Sequence, residues 1–165
     1  MSKSLLTLLG LLLLAACAAP PNDTGLRRAD APISSQMAFD PARFADVWHV
    51  VAAYGDEARC GPLAETWVLT GADGYRVTGT RCGPNGARAF ATQARVTGPG
   101  RITRDGDEAW VLWVDADYRV AVIGAPSGRF ARVLSRTAQG RPGPMGGARR
   151  VWPVNRYEPA GVRPR

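Results

Sequence analysis

The sequence is poor in most groups that do chemistry. It has one histidine (His49) and three cysteines (Cys17, Cys60, Cys82), with no CxxC pair. That supply is too thin for the usual zinc or iron–sulfur ligand sets. No G-x-S-x-G elbow is present to present a nucleophilic serine. The glycine-rich stretch Gly140–Gly147 carries no phosphate-loop lysine and precedes no expected helix, so a nucleotide loop is unsupported. No internal repeat or heptad appears, and beyond the N-terminus no apolar run is long enough to span a bilayer. The sequence is therefore read as a binding protein without cofactor or metal rather than an enzyme. A hydrolase built by folding distant residues together is the remote alternative.

What is present begins with an address. Lys3 supplies a short positive region, Leu5–Leu14 an apolar core, and Ala15-Ala16 small residues before Cys17. This is a secretory signal, shorter than the about 20 residues of a membrane helix. Leu14-Ala15-Ala16-Cys17 also resembles a bacterial lipobox, which makes Cys17 the expected lipidated residue. Ala18 after it favours the outer membrane by resemblance to enterobacterial sorting. The expected location is thus the envelope of a Gram-negative bacterium, with an outer-membrane lipoprotein facing the periplasm. Residues 1–17 form the signal, and 18–37, small, polar and proline-bearing, read as a flexible tether. The folded unit is expected over 38–137, and 138–165 as a basic Gly/Pro/Arg tail.

Export implies an oxidising compartment, so the even pair left after Cys17 reads as one disulfide, Cys60–Cys82. A bridge over a loop of this size is worth roughly 3 kcal/mol in the loop-entropy view. The net charge is +7. Most of it falls in the tail, where Arg141, Arg149, Arg150, Arg156, Arg163 and Arg165 face Glu158 alone. Basic character off the folded unit argues against nucleic acid. The tail could contact an anionic envelope surface, or simply be solvated.

Short runs rich in Val, Ile, Trp and Phe alternate with Asp, Gly and Pro clusters. They predict strands at 44–54, 64–70, 75–81, 87–96, 101–104, 109–114, 118–124 and 130–136. Asp40-Pro41 predicts one helical turn before the first of them. Eight short strands with turns at regular spacing predict an all-β, antiparallel up-and-down barrel, wide enough for one small ligand. Interior Pro costs about 3 kcal/mol and Gly about 1 in a helix, so none is expected after residue 137.

Three segments then resemble the lipocalins, and among them the bacterial outer-membrane lipoprotein subgroup. Asp46-Val47-Trp48 matches the first motif, Gly-x-Trp, at the tryptophan but not at the glycine. Ala116-Asp117-Tyr118 is similar to the second, and Arg136 in Leu-Ser-Arg-Thr to the third. The resemblance covers about 39–137. It implies that Arg136 packs across Trp48 as a structural plug at the closed end. It also implies a C-terminal helix on the barrel wall, which the composition here speaks against.

Side-chain alternation from these points assigns an inward face. On the last strand it places Phe130, Arg132 and Leu134 inside; on the first, Val50, Ala52 and Tyr54. Tyr118, Val120 and Val122, Trp67 and Leu69, and Phe90 complete the expected ligand-binding set. A buried Arg132 needs an anionic partner. That partner is either the acidic head of a ligand or a protein carboxylate such as Glu65. The expected function is binding of a small hydrophobic or amphipathic molecule, a fatty acid such as palmitate or a lysophospholipid, for storage, transport or scavenging. The competing reading is a structural or inhibitory envelope lipoprotein with a filled core and a protein or cell-wall partner.

Overall fold

The computed structural model describes residues 27–28, 30–54, 59–140, 142–157 and 162–164. Cys17 and the signal lie outside them. Asp40 caps α1 (Pro41–Phe44): its carboxylate accepts from the Ala42 and Arg43 N–H groups, and Pro41 stands where a helix has no use for an N–H. The strands follow as β1 (Asp46–Tyr54), β2 (Leu63–Leu69), β3 (Gly74–Gly83), β4 (Gly86–Gly98), β5 (Arg101–Arg104), β6 (Asp107–Val114), β7 (Val120–Gly124) and β8 (Ala131–Ser135). Each pairs antiparallel with the next, and β1 pairs with both β2 and β8. That double pairing closes an eight-stranded barrel, the architecture the motifs implied.

Closure leaves two ends. Turns at 70–73, 99–100 and 115–119, with α1, form one; turns at 84–85, 105–106 and 125–130 form the other. The Cys60–Cys82 disulfide ties the segment before β2 to the end of β3, with Cα atoms 5.5 Å apart.

Two apolar clusters result. One lies inside the barrel, with Phe44, Trp48, Val50, Ala53, Leu63, Trp67, Tyr75, Val77, Ala121, Ile123 and Leu134 among its members. The other lies on the outer wall and joins Val51, Ala52, Tyr54, Val120, Val122 and Val133 to Ala148, Val151, Trp152 and Tyr157.

The second cluster overturns one expectation. Residues 142–154 form a 13-residue helix, α2 (Pro142–Val154), against the wall. Pro142 and Pro144 fall in its first turn, where no N–H is needed, and Pro153 is next to its last residue. Gly147 lets the helix approach closely: a Cβ there would meet the Trp113 ring at 3.0 Å, so the ring would have to give way. Burial of Ala148, Val151 and Trp152 overrides the poor propensity. Beyond it, β9 (Val162–Pro164) pairs with Ala52–Tyr54 of β1, on the edge that β2 leaves after Val50.

The expected tether is also partly docked. Arg27 is 2% exposed; its guanidinium donates to the Asn155, Pro126, Ala31 and Pro32 carbonyls. Ile33 packs on the outer cluster, and the Gln36 N–H donates to the Val111 carbonyl at 2.8 Å.

Candidate functional site

The closed end is filled. Phe39, Phe44, Trp48, Trp67 and Tyr75 form a chain of tilted and edge-on ring pairs with centroids 5.1–5.3 Å apart. The Arg136 guanidinium lies 3.7 Å from the Trp48 ring centroid. It donates to the carbonyls of Val47 (2.9 Å), Arg43 (2.9 Å), Ala45 (2.8 Å) and Tyr118 (3.1 Å). Burial lowers its pKa, and the Asp46 carboxylate opposes that shift. Asp46 has φ +87°, a left-handed conformation that suits glycine. The residue type of the first lipocalin motif thus has a backbone reason, and Asp46 occupies the position at some strain.

The open end is built differently. Glu65 sits on β2 inside the barrel, 1% exposed. Its carboxylate accepts from Arg132 at 2.7 Å, Arg104 at 3.1 Å and the Trp67 indole N–H at 3.2 Å. Burial pushes the Glu65 carboxyl up, but the two guanidiniums outweigh it and hold it below the ordinary range. Gly79 faces Glu65 across the β2–β3 pair, where a side chain would overlap the Ala64 carbonyl.

Above this cluster lies a chamber of about 200 Å³ lined by Arg81, Arg104, Asp105, Asp107, Ala109, Phe130 and Arg132. Aromatic rings brace the guanidiniums. Arg81 and Arg104 lie 5.3 and 5.5 Å from the Phe90 centroid, and Arg132 lies 5.1 Å from that of Phe130. Arg81 reaches Asp105 at 3.8 Å, and Arg129 pairs with Asp107. The buried Nε of Arg81 has no hydrogen-bond partner among the described residues. A buried donor without a partner costs about 1–3 kcal/mol, and an anionic acceptor in the chamber would remove that cost.

The expected binding set divides in three. Arg132 and Phe130 line the chamber. Val50, Trp67, Tyr118 and Leu134 are buried within the packed interior, with Leu69 and Phe90 partly buried against it. Ala52, Tyr54, Val120 and Val122 do not face inward at all; they belong to the outer cluster under α2. Two backbone irregularities explain the reversal. The β1–β8 register shifts between Val50 and Ala52, so alternation slips by one residue. Tyr118 has φ +56°, so its inward direction does not carry over to Val120. The interior thus has an aromatic filling below and an arginine chamber above. Arg81 and Arg104 were missed. For Arg81 the alternation gives the face alone: it stands two and four residues beyond Gly79 and Val77, on the same strand face as Tyr75.

No family model and no curated protein matches the sequence. Solved structures match by fold, 230 chains in all. One is the siderocalin Ex-FABP, described as functioning through dual ligand specificities. The similarity has a TM-score of 0.58 at 22% identity and covers 73% of this chain and 87% of that one. The barrel is therefore lipocalin-like in fold.

Proposed function

We propose that this protein binds a small amphipathic acid at the mouth of its barrel. The acid's carboxylate or phosphate accepts from Arg81 Nε and faces Arg104 and Arg132, and its apolar part lies against Phe90 and Phe130. The observation that carries this reading is the buried, unpartnered Arg81 donor in a chamber whose arginines are already oriented by rings and carboxylates. The lipocalin-like fold, which places small molecules in its barrel mouth, supports it. The chamber is smaller than the roughly 300–1,000 Å³ of drug-sized sites. A fatty acid or lysophospholipid would therefore seat its head and first methylenes inside and leave the rest of its chain at the rim.

Residues 14–17 support lipidation at Cys17 and an outer-membrane location facing the periplasm, with a role in holding or moving lipid there. Mass analysis of the N-terminal peptide from cells tests the anchor. Titration with a fluorescent fatty acid and a fluorescent lysophospholipid tests the site: Arg81→Ala should weaken binding about tenfold. Unchanged affinity would remove the chamber from the account.

The aromatic filling of the lower barrel supports the second reading, a filled-core envelope protein that recognises a protein or cell-wall partner. Native mass spectrometry separates the two. A co-purified or added acid retained by the protein supports the first. A bare chain that ignores both lipids supports the second.

A further inference from the structure

We propose that the open end of the barrel docks on an anionic lipid surface, so that the mouth and its arginine chamber face the bilayer. The proposal rests on the anchoring reading above and adds an orientation to it.

The first observation is where the chain enters the fold. Arg27 is held at the open end: it donates at 2.6 Å to the carbonyl of Pro126, in the β7–β8 turn, and at 3.1 Å to that of Asn155, just past α2. Its backbone pairs with Tyr157, whose hydroxyl in turn donates to the Ala125 carbonyl. The described chain therefore begins on the mouth side. Ten peptide links from Cys17 to Arg27 reach at most about 35 Å when fully extended. A lipid on Cys17 would hold that end near the membrane.

The second observation is what that end presents. α2 runs toward the mouth and finishes there with Pro153 and Val154 exposed, Val154 at 73%. Arg149, Arg150 and Arg156 are exposed beside them. A small apolar tip among guanidiniums suits the headgroup boundary: the tip enters the upper acyl region and the arginines meet phosphates. Exposed Arg59, Arg88 and Arg129 belong to the same rim. Among the described residues its acids are Asp30, Asp105, Asp107 and Glu108, the first three already paired with Arg28, Arg81 and Arg129. The closed end is mixed: Asp40, Asp46, Asp73 and Asp117 are exposed there, Arg119 is held by Asp115 and Asp117, and Arg43, Arg101 and Met37 are exposed beside them. Charge alone therefore does not choose between the ends; the point where the chain enters the fold does.

With this orientation a lipid acid moves between leaflet and chamber along the rim without crossing bulk water. The test couples the full chain through Cys17 to maleimide lipid in phosphatidylcholine vesicles containing about a quarter phosphatidylglycerol. A trace of phosphatidylglycerol with a photoreactive headgroup is included, and labelled peptides are located by mass spectrometry. Label is expected within 125–130 and 149–157, with 70–73 and 115–119 spared. It should fall about tenfold at 149–157 in Arg150→Glu/Arg156→Glu, and likewise when unlabelled phosphatidylglycerol is left out. Equal labelling of the two ends, labelling of the closed-end turns, or indifference to both charge changes overturns the proposal. So does chain-to-chain cross-linking through 149–157 in place of lipid label, which would assign the surface to a second copy. Because the coupling supplies the tether, absence of native lipid on Cys17 would refute the anchoring reading and leave this outcome to be judged by itself.

Discussion

The two ends of this barrel use the same side chain for opposite ends. Arg136 at the closed end spends its donors on four backbone carbonyls and lies flat on Trp48. At the open end Arg81, Arg104 and Arg132 surround a chamber, are braced by Phe90 and Phe130, and include a buried donor with no partner among the described residues. A guanidinium satisfied by main chain acts as a seam; those held by rings and carboxylates beside the chamber are the ones proposed above to meet a ligand. The lesson is that arginine count says little until the acceptors are assigned.

The comparison can be broken most severely at Glu65, which the open-end arginines share. Glu65→Gln leaves buried guanidiniums without their counter-charge and should cost about 3–5 kcal/mol in urea unfolding. The same group makes stability depend on acid. Its folded pKa lies below the unfolded value, so its contribution is fully present above the ordinary carboxylate range and is lost as pH falls through the folded value. Between pH 6 and pH 3 the native protein should lose more stability than Glu65→Gln does, and equal losses would show that Glu65 is not held ionised by its partners.

Arg136→Ala comes next. Loss of the ring contact and of several hydrogen bonds should lower stability by about 2 kcal/mol and leave acid binding unchanged. Arg81→Ala should do the reverse, with stability within about 0.5 kcal/mol of the native protein and the fluorescent acid bound about tenfold more weakly. A binding loss in the first variant, or a large stability loss in the second, would dissolve the distinction between the ends. The smallest effect is at the plug's margin. Asp46→Gly relieves a left-handed aspartate and should gain about 0.5–1 kcal/mol, offset in part by the lost attraction to Arg136.

The strands and turns were legible because their signals are local. Alternation and Asp/Gly/Pro punctuation placed all eight barrel strands to within a few residues, and Asp40-Pro41 gave α1 with its cap. The faces were legible only where the strand is regular. On β8 the assignment of Leu134 and Phe130 follows the interior; on β1 a bulge after Val50 reverses it, and on β7 the left-handed Tyr118 does. α2 was hidden because its glycines and prolines speak for coil, and the reason it forms, burial of Trp152 and Val151 on a wall made by other strands, is not local. The carboxylate beside Arg132 was one of two partners its burial required, and the structure places Glu65 there. Arg81 and Arg104 needed the register of β3 and β5 before they could be put in one chamber.

One asymmetry in the wall has a further consequence. β4 runs 13 residues but pairs with β5 only over Ala94–Gly98, so among the described strands the backbone of its first half is paired with β3 alone. Next to the chamber the barrel is thus a cup with a notch in its lip. If the proposed acid is seated in the chamber, a chain longer than the hollow would lean out through that notch while the remaining staves keep their spacing, and its size would be limited by grip on the head rather than by the volume of the vessel.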